Sequence, residues 1–267
     1  VQILSSNLVS NGDFSQEGAE EVTNGSFTNG TTDWSLTSSG DSSSNVIITN
    51  GSCQIISDGT LTGLTQTLVT TIGKTYKCTI NISSVNNVGG GIAISNGNVF
   101  ASSIATFTTA EIHTFYFKAT STSVSIKRAS GLGGSIDFSI TNISVKEVGQ
   151  DWTLGTGWSI GENKALYNGV SEPYLYSLSP VNIAVSDKLK ITFVLDSNAK
   201  LRFVNENGSR FSGTWVLYAS GTHEVYLTSS IVATQIGVQA DTDNGAFGIT
   251  NISVIEITDD TNLPRIN

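Results

Sequence analysis

Apolar and polar residues alternate with a period of two along most of this chain, in short runs broken by glycine- and asparagine-rich turns. "YKCTINI" puts Tyr76, Cys78, Ile80 and Ile82 on one face of a strand, and "KITFVL" puts Ile191, Phe193 and Leu195 on the matching face of another. "HTFYFKA" turns Phe115 and Phe117 inward and Tyr116 outward. No window carries the 3.6-residue apolar period over the length of a helix. Turn signals recur roughly every 8 to 12 positions, the spacing of an antiparallel sandwich or barrel with little or no helix.

The pattern is written twice. "FSITNISVKEV" at 138–148 returns as "FGITNISVIEI" at 247–257, 109 positions later, and "DWSL" at 33–36 returns as "DWTL" at 151–154. "IITNGSCQI" at 47–55 resembles "SIGENKAL" at 159–166, and "IGKTYKCTINIS" at 72–83 matches "VSDKLKITFVLD" at 185–196. "EIHTFYFKATSTSVSI" at 111–126 then aligns with "GTHEVYLTSSIVATQI" at 221–236, which sets His113 over His223. The order is the same in both halves, so the chain reads as a tandem duplication. Within each closing stretch the apolar parity shifts once, between Ile140 and Ile143 and between Ile249 and Ile252. A bulge at Thr141-Asn142 and at Thr250-Asn251 would keep all the apolar residues inward.

The N-terminal region holds two near copies of one entry motif, "NLVSNGDF" at 7–14 and "VTNGSF" at 22–27. The second leads directly into Trp34 and reads as the first strand of the first module. This predicts a linker or edge segment over 1–21, modules over 22–148 and 149–258, and a polar exit linker over 259–267.

Composition narrows the function. Charged residues make up 13% of the 267, and the net charge is -9 with a pI near 4.6. Nucleic acid and anionic membranes both require a concentrated basic surface, so neither is an expected partner. No stretch approaches the roughly 20 apolar residues of a membrane helix, and no signal pattern is present. With no methionine, the chain reads as a processed product or a piece of a longer one. Two cysteines are too few for a disulfide framework. Cys78 stands where the second copy has Ile191, so it reads as a buried thiol, with a Cys53–Cys78 bridge as the alternative.

"NG-x-F", a Trp about ten residues on, several alternating strands and a closing "ITNISVKEV" together resemble the jelly-roll, galactose-binding-like carbohydrate-binding modules. They look most like the tandem copies in bacteriophage tail-fibre and other virion proteins. "DWTLGTGWSIGENKA" after "SVKEV" and the terminal "NLPRIN" add to the likeness, which spans about 22 to 267. The resemblance implies an all-β chain of two tandem antiparallel jelly-roll β-sandwich domains on a virion or other extracellular surface. It also implies a structural calcium site, built from a Glu after "NG-x-F" and an Asp on the last strand. Here Thr28 follows Phe27, and Thr141 and Thr250 hold the closing-strand positions. Hydroxyls substitute poorly for carboxylates around a hard cation, so no cofactor is expected at that site; calcium remains an alternative only through carboxylates elsewhere, at Asp13, Glu17, Glu20 and Glu21.

Glycan modules stack aromatic rings on sugar faces and hydrogen-bond the hydroxyls with amides and carboxylates. Trp34 and Trp152 share one repeat position and read as core; Trp158 alternates with Ile160 and reads as a strand face. The ligand candidates are Trp215 and Tyr218 in "FSGTWVLYASG", and Tyr174 and Tyr176 beside Glu172 in "SEPYLYS". Ordinary packing or an interface between chains is the competing reading of the same residues. No catalytic residue is expected. His113 and His223 fall in different modules, "GKT" at 73–75 has Leu68 where a phosphate loop needs Gly and reads as a hairpin turn, and the dispersed acids form no facing pair. The expected function is non-catalytic recognition of a host-surface glycan, with a homo-oligomer or other virion proteins as partners. The alternative is a structural spacer or decoration protein that self-assembles without a ligand.

Overall fold

The computed structural model describes residues 2–38, 43–67, 69–129, 134–170, 174–211 and 213–258. Among them there is no helix. The chain divides into two compact units, one formed by Glu17–Val148 and the other by 1–16 together with 149–267.

The unit formed by Glu17–Val148 begins with β1 (Glu17–Glu20), β2 (Ser35–Thr37), β3 (Asn45–Thr49), β4 (Ser52–Ser57), β5 (Gly63–Gln66) and β6 (Thr75–Asn87). It continues through β7 (Ile92–Asn96), β8 (Ser103–Phe107), β9 (Ile112–Lys118), β10 (Val124–Arg128) and β11 (Ile136–Val148). One sheet runs β3-β4-β11-β6-β9, with β1 also on β11, and the other runs β2-β5-β10-β7-β8. The other unit holds β12 (Trp152–Leu154), β13 (Trp158–Gly161), β14 (Lys164–Tyr167), β15 (Tyr174–Ser177) and β16 (Lys188–Leu195). After these come β17 (Ala199–Val204), β18 (Val216–Tyr218), β19 (Gly221–Thr228), β20 (Gly237–Ala240) and β21 (Phe247–Ile257). Its sheets run β13-β14-β21-β16-β19 and β12-β15-β20-β17-β18. Strand for strand this is the order of the first unit, so both are antiparallel jelly-roll sandwiches.

Period-two alternation fills each core as the sequence predicts. Tyr76, Cys78, Ile80 and Ile82 are buried on β6, and Leu189, Ile191, Phe193 and Leu195 are buried on β16. Trp34, Trp152 and Trp158 are also buried. The closing strands shift register where the parity changes, between Ile140 and Asn142 on β11 and opposite Thr192–Val194 on β21. Phe138, Ile140, Ile143 and Val145 therefore all face inward, as do Phe247, Ile249, Ile252 and Val254. Turn 71–74 around "GKT" is not a hairpin, because β5 and β6 on either side lie in different sheets.

The entry motif docks at that bulge. In the first unit the Ile143 amide, which the bulge turns away from the ladder, donates to Gly25 O at 3.0 Å, and Trp34 Nε1 donates to Asn24 O at 3.1 Å. Phe27 packs on Trp34 with ring centroids 5.6 Å apart. The same set recurs in the second unit, built from residues 7–14. Ile252 N donates to Gly12 O at 2.9 Å, Trp152 Nε1 donates to Asn11 O at 3.0 Å, and Phe14 lies 5.1 Å from Trp152. Asn11, Phe14, Asn24 and Phe27 all have φ between 47° and 58°. Non-glycine residues pay ~1–2 kcal/mol each for that conformation. The strain is offset by burying the Phe, worth ~2–3 kcal/mol, and by satisfying the bulge amide.

Residues 1–16 are therefore no linker. They complete the second unit, with Leu4 N on Glu256 O at 2.8 Å and Leu8 N on Val254 O at 2.7 Å. Glu17–Glu20 form β1 of the first unit. The first unit is thus inserted into the second, between Phe14 and Trp152, where a simple tandem order would have placed it before. In the uninterrupted copy Asn24 Nδ2 donates to the carbonyls of Gly30 and Thr32, both at 2.9 Å. Asn11 Nδ2, whose loop the insertion cuts open, is buried with no partner among the described residues.

Cys53 and Cys78 are free and buried. They sit on β4 and β6, which flank β11 on opposite sides. Two strand spacings make about 9.5 Å, beyond the reach of a disulfide, so the bridging alternative fails. Burial pushes the Cys53 thiol up to about 12, which keeps it protonated and unreactive.

Candidate functional site

The candidate aromatics of the second module lie on or beside the sheet β12-β15-β20-β17-β18. On β15 the alternation buries Leu175 and Ser177 and leaves Tyr174 and Tyr176 half-exposed on the outer face. Their rings are near-parallel, at 12° with centroids 5.3 Å apart. Tyr176 crosses the neighbouring strand at Gly237, where a Cβ would stand 2.4 Å from its Cδ1, so the glycine makes room for the ring. Tyr174 meets the turn after β17, where a Cβ on Gly208 would lie 2.9 Å from its hydroxyl.

A row of side chains continues from Tyr174 across the sheet. Tyr174 is opposite Gln239 on β20, and Gln239 is opposite Arg202 on β17. Gln239 is fully buried beneath its neighbours, and its Oε1 accepts from Arg202 Nε at 2.5 Å. The guanidinium lies over the half-exposed Trp215 ring, 4.0 Å from its centroid. Trp215 thus offers one face to Arg202, not to a sugar. Arg202, Gln239 and Glu206 are not among the candidates the sequence suggests, which are four aromatics and Glu172. The available signal was the outward parity of Arg202 in "KLRFV", between inward Leu201 and Phe203.

Glu206 lies beyond β17, its Oε2 accepting from Thr234 N at 3.0 Å and Gln235 N at 3.2 Å. Burial raises its pKa, but its own backbone amide and those of Thr234 and Gln235 outweigh this and hold it below the ordinary carboxylate value. Burial, with the nearby Tyr174 and Glu206, pushes Tyr176 up to about 12. Both groups keep one charge state at neutral pH, Glu206 anionic and Tyr176 a neutral donor.

Tyr218 does not join this face. It pairs with Ala199, whose side chain points into the core, and packs edge-on against Phe193 at 5.2 Å and beside His223 at 5.1 Å. Glu172 falls outside the described residues. The two histidines have a common structural job: His113 Nε2 bonds Thr109 O at 3.0 Å and His223 Nε2 bonds Ala219 O at 2.7 Å, each closing the turn before its strand.

The equivalent face of the first unit is shut. Its outward positions are Gly63 and Thr65 on β5, Ser125 and Lys127 on β10, and Ala93 and Ser95 on β7, all buried. The turn that follows β7 lies over them, its carbonyls taking bonds from below: Ser125 Oγ to Gly97 O, and Ser95 Oγ and Lys127 Nζ to Ala101 O. Lys127 is 2% exposed, and burial lowers its pKa from the ordinary 10.5. Between that lowered value and 10.5 the unfolded chain binds more protons, so this lysine makes stability rise with pH. Lys127→Met is expected to stabilise the first unit by about 1 kcal/mol at neutral pH. The advantage over wild type should vanish as pH approaches 10.5, and urea titrations at pH 7 and 10.5 check it; a gap that holds constant refutes the buried-cation account.

The calcium set implied by the resemblance does not fit these residues. The Thr250 hydroxyl donates to Asn163 O at 2.8 Å and Asp13 O at 3.3 Å. A hydroxyl hydrogen here ties together carbonyls of the kind a hard cation would gather.

No protein-family model and no curated protein matches the chain. Among solved structures it is similar to the CBM22-1–CBM22-2 tandem domain of Paenibacillus barcinonensis Xyn10C, at 10% identity over 91% of this chain and 99% of that one, with a TM-score of 0.34. Allantoicase from Saccharomyces cerevisiae is 9% identical over 74% of this chain and 77% of its own, at 0.32. The plant receptor-like kinase ANX1 is 8% identical over 96% and 98%, at 0.30. At these scores none of the three supports an inference about ligand or chemistry.

Proposed function

We propose that this protein recognises a glycan without catalysis, and that recognition is confined to the outer face of the sheet β12-β15-β20-β17-β18. The observation that carries this reading is the near-parallel Tyr174–Tyr176 pair, half-exposed on one face with fixed polar groups beside it. Aromatic carbon meets the C–H face of a sugar, while phenol hydroxyls, the Glu206 carboxylate and the guanidinium meet its hydroxyls. A virion or other extracellular surface, which the motif resemblance suggests, belongs to the same proposal.

A second reading applies to the first unit alone. Its corresponding face is covered by its own turn at 97–101, which favours a spacer role for that unit, with surface contacts to further copies or other virion proteins.

Glycan-array screening of the full chain followed by calorimetry tests both. Tyr176→Ala and Gly237→Ala, the second of which drives a methyl into the Tyr176 ring, are each expected to weaken binding at least ~10-fold. A first-unit substitution at the exposed Phe100 should leave it unchanged. No binding to any glycan, or equal binding by the Tyr176 variant, defeats the proposal.

A further inference from the structure

We infer that the second unit's face selects a glycan bearing a carboxylate, with Arg202 as the group that receives it; this rests on the glycan reading above. Arg202 is fixed from two sides, by the Trp215 ring 4.0 Å from its guanidinium carbon and by Gln239 at Nε. Both contacts leave the two terminal amino groups as the unused edge. Those groups have no carboxylate partner among the described residues.

The neighbouring charges are already committed. Lys200, two residues earlier on the same strand and face, is paired with Asp241 at 2.7 Å. Glu206 is held by the amides of Thr234 and Gln235. In a chain of net charge -9, a half-buried guanidinium with no counter-ion among the described residues stands apart. Stacking on an indole removes water from one face of the cation and holds its fork rigid. A planar carboxylate matches that fork with two parallel N–H···O bonds. A sugar ring lying along Tyr174 and Tyr176 would carry the carboxylate at the end of the row where Arg202 stands, and the anionic Glu206 repels it from the tyrosine end.

The test is calorimetry of the full chain with polyglucuronate, polygalacturonate and sialyllactose, each against its carboxyl-reduced form. At least one acid should bind ~10-fold or more tightly than its reduced partner, with the difference shrinking as salt is raised. Arg202→Gln should bind the two forms alike. Arg202→Lys keeps the charge but not the fork, and is expected to lose most of the preference; it also stands in should the Gln variant unfold. Equal binding of acid and reduced forms by wild type overturns the inference. If neutral glycans bind, and Tyr176→Ala abolishes that binding while Arg202→Gln does not, the inference falls and the glycan reading stands. If nothing binds, both fall.

Discussion

Deletion of residues 1–16 is expected to unfold the second unit and leave the first intact. The deletion removes Phe14 at 1% exposure and Val9 at 4%. It strips the Trp152 indole of its acceptor, and takes Gly12 O and the Asn7 carboxamide oxygen from the Ile252 and Val254 amides. Loss of a buried Phe alone costs ~3–5 kcal/mol, and each orphaned buried amide adds ~1–3. The total reaches the ~5–15 kcal/mol by which a domain is stable. Scanning calorimetry should show one surviving transition, and proteolysis should leave a fragment spanning 17–148. The complementary chain, with Gln16 joined directly to Gly149, should fold. Its splice leaves five residues between Phe14 and Trp152, against six between Phe27 and Trp34. A Δ1–16 protein that keeps both transitions would refute the nested assignment.

The second large effect separates the units by single atoms. A Cβ at Gly12 would stand 1.9 Å from Ile252 O, and one at Gly25 would stand 2.2 Å from Ile143 O. The obstructing atom in both cases is backbone of a central strand and cannot move aside. Gly12→Ala and Gly25→Ala are each expected to cost at least ~3 kcal/mol, lowering one transition by roughly 10 °C. Gly12→Ala should lower only the second unit's transition and Gly25→Ala only the first's. If both variants shift the same transition, the pairing of motif to closing strand is wrong.

Much of this was legible beforehand because a strand has a two-residue period. The parity break between Ile140 and Ile143 marked the bulge, and the matching break in the second copy marked its twin. What the pattern could not convey is which closing strand each entry motif binds, since "SNGDF" and "TNGSF" are locally alike and the choice is made across the whole chain. One clue lay in plain view: Trp34 has an "NG-x-F" just before it and Trp152 has none, so the spare copy at 7–14 was the second module's missing piece. At the site, Tyr174 and Tyr176 were visible because two aromatics two positions apart in a strand share one face. Tyr218 misled because the parity of β18 was not fixed by sequence. Arg202 and Gln239 gain their roles only through cross-strand neighbours more than thirty positions apart.

The insertion also sets an order of events during synthesis. The motif at 7–14 leaves the ribosome first, yet β21 emerges on the order of 10–50 s later at ordinary elongation rates. In that interval the only closing strand on offer is β11, which is already claimed by the motif at 22–27. Once the first unit folds, Glu17 is paired with Val148, and the ends of a loop of more than 130 residues are brought together. Closing that loop as unstructured chain would cost ~3 kcal/mol more than closing the five-residue splice. The inserted unit therefore acts as an internal clamp, raising the effective concentration of an N-terminal segment that would otherwise have to find its partner strand by diffusion.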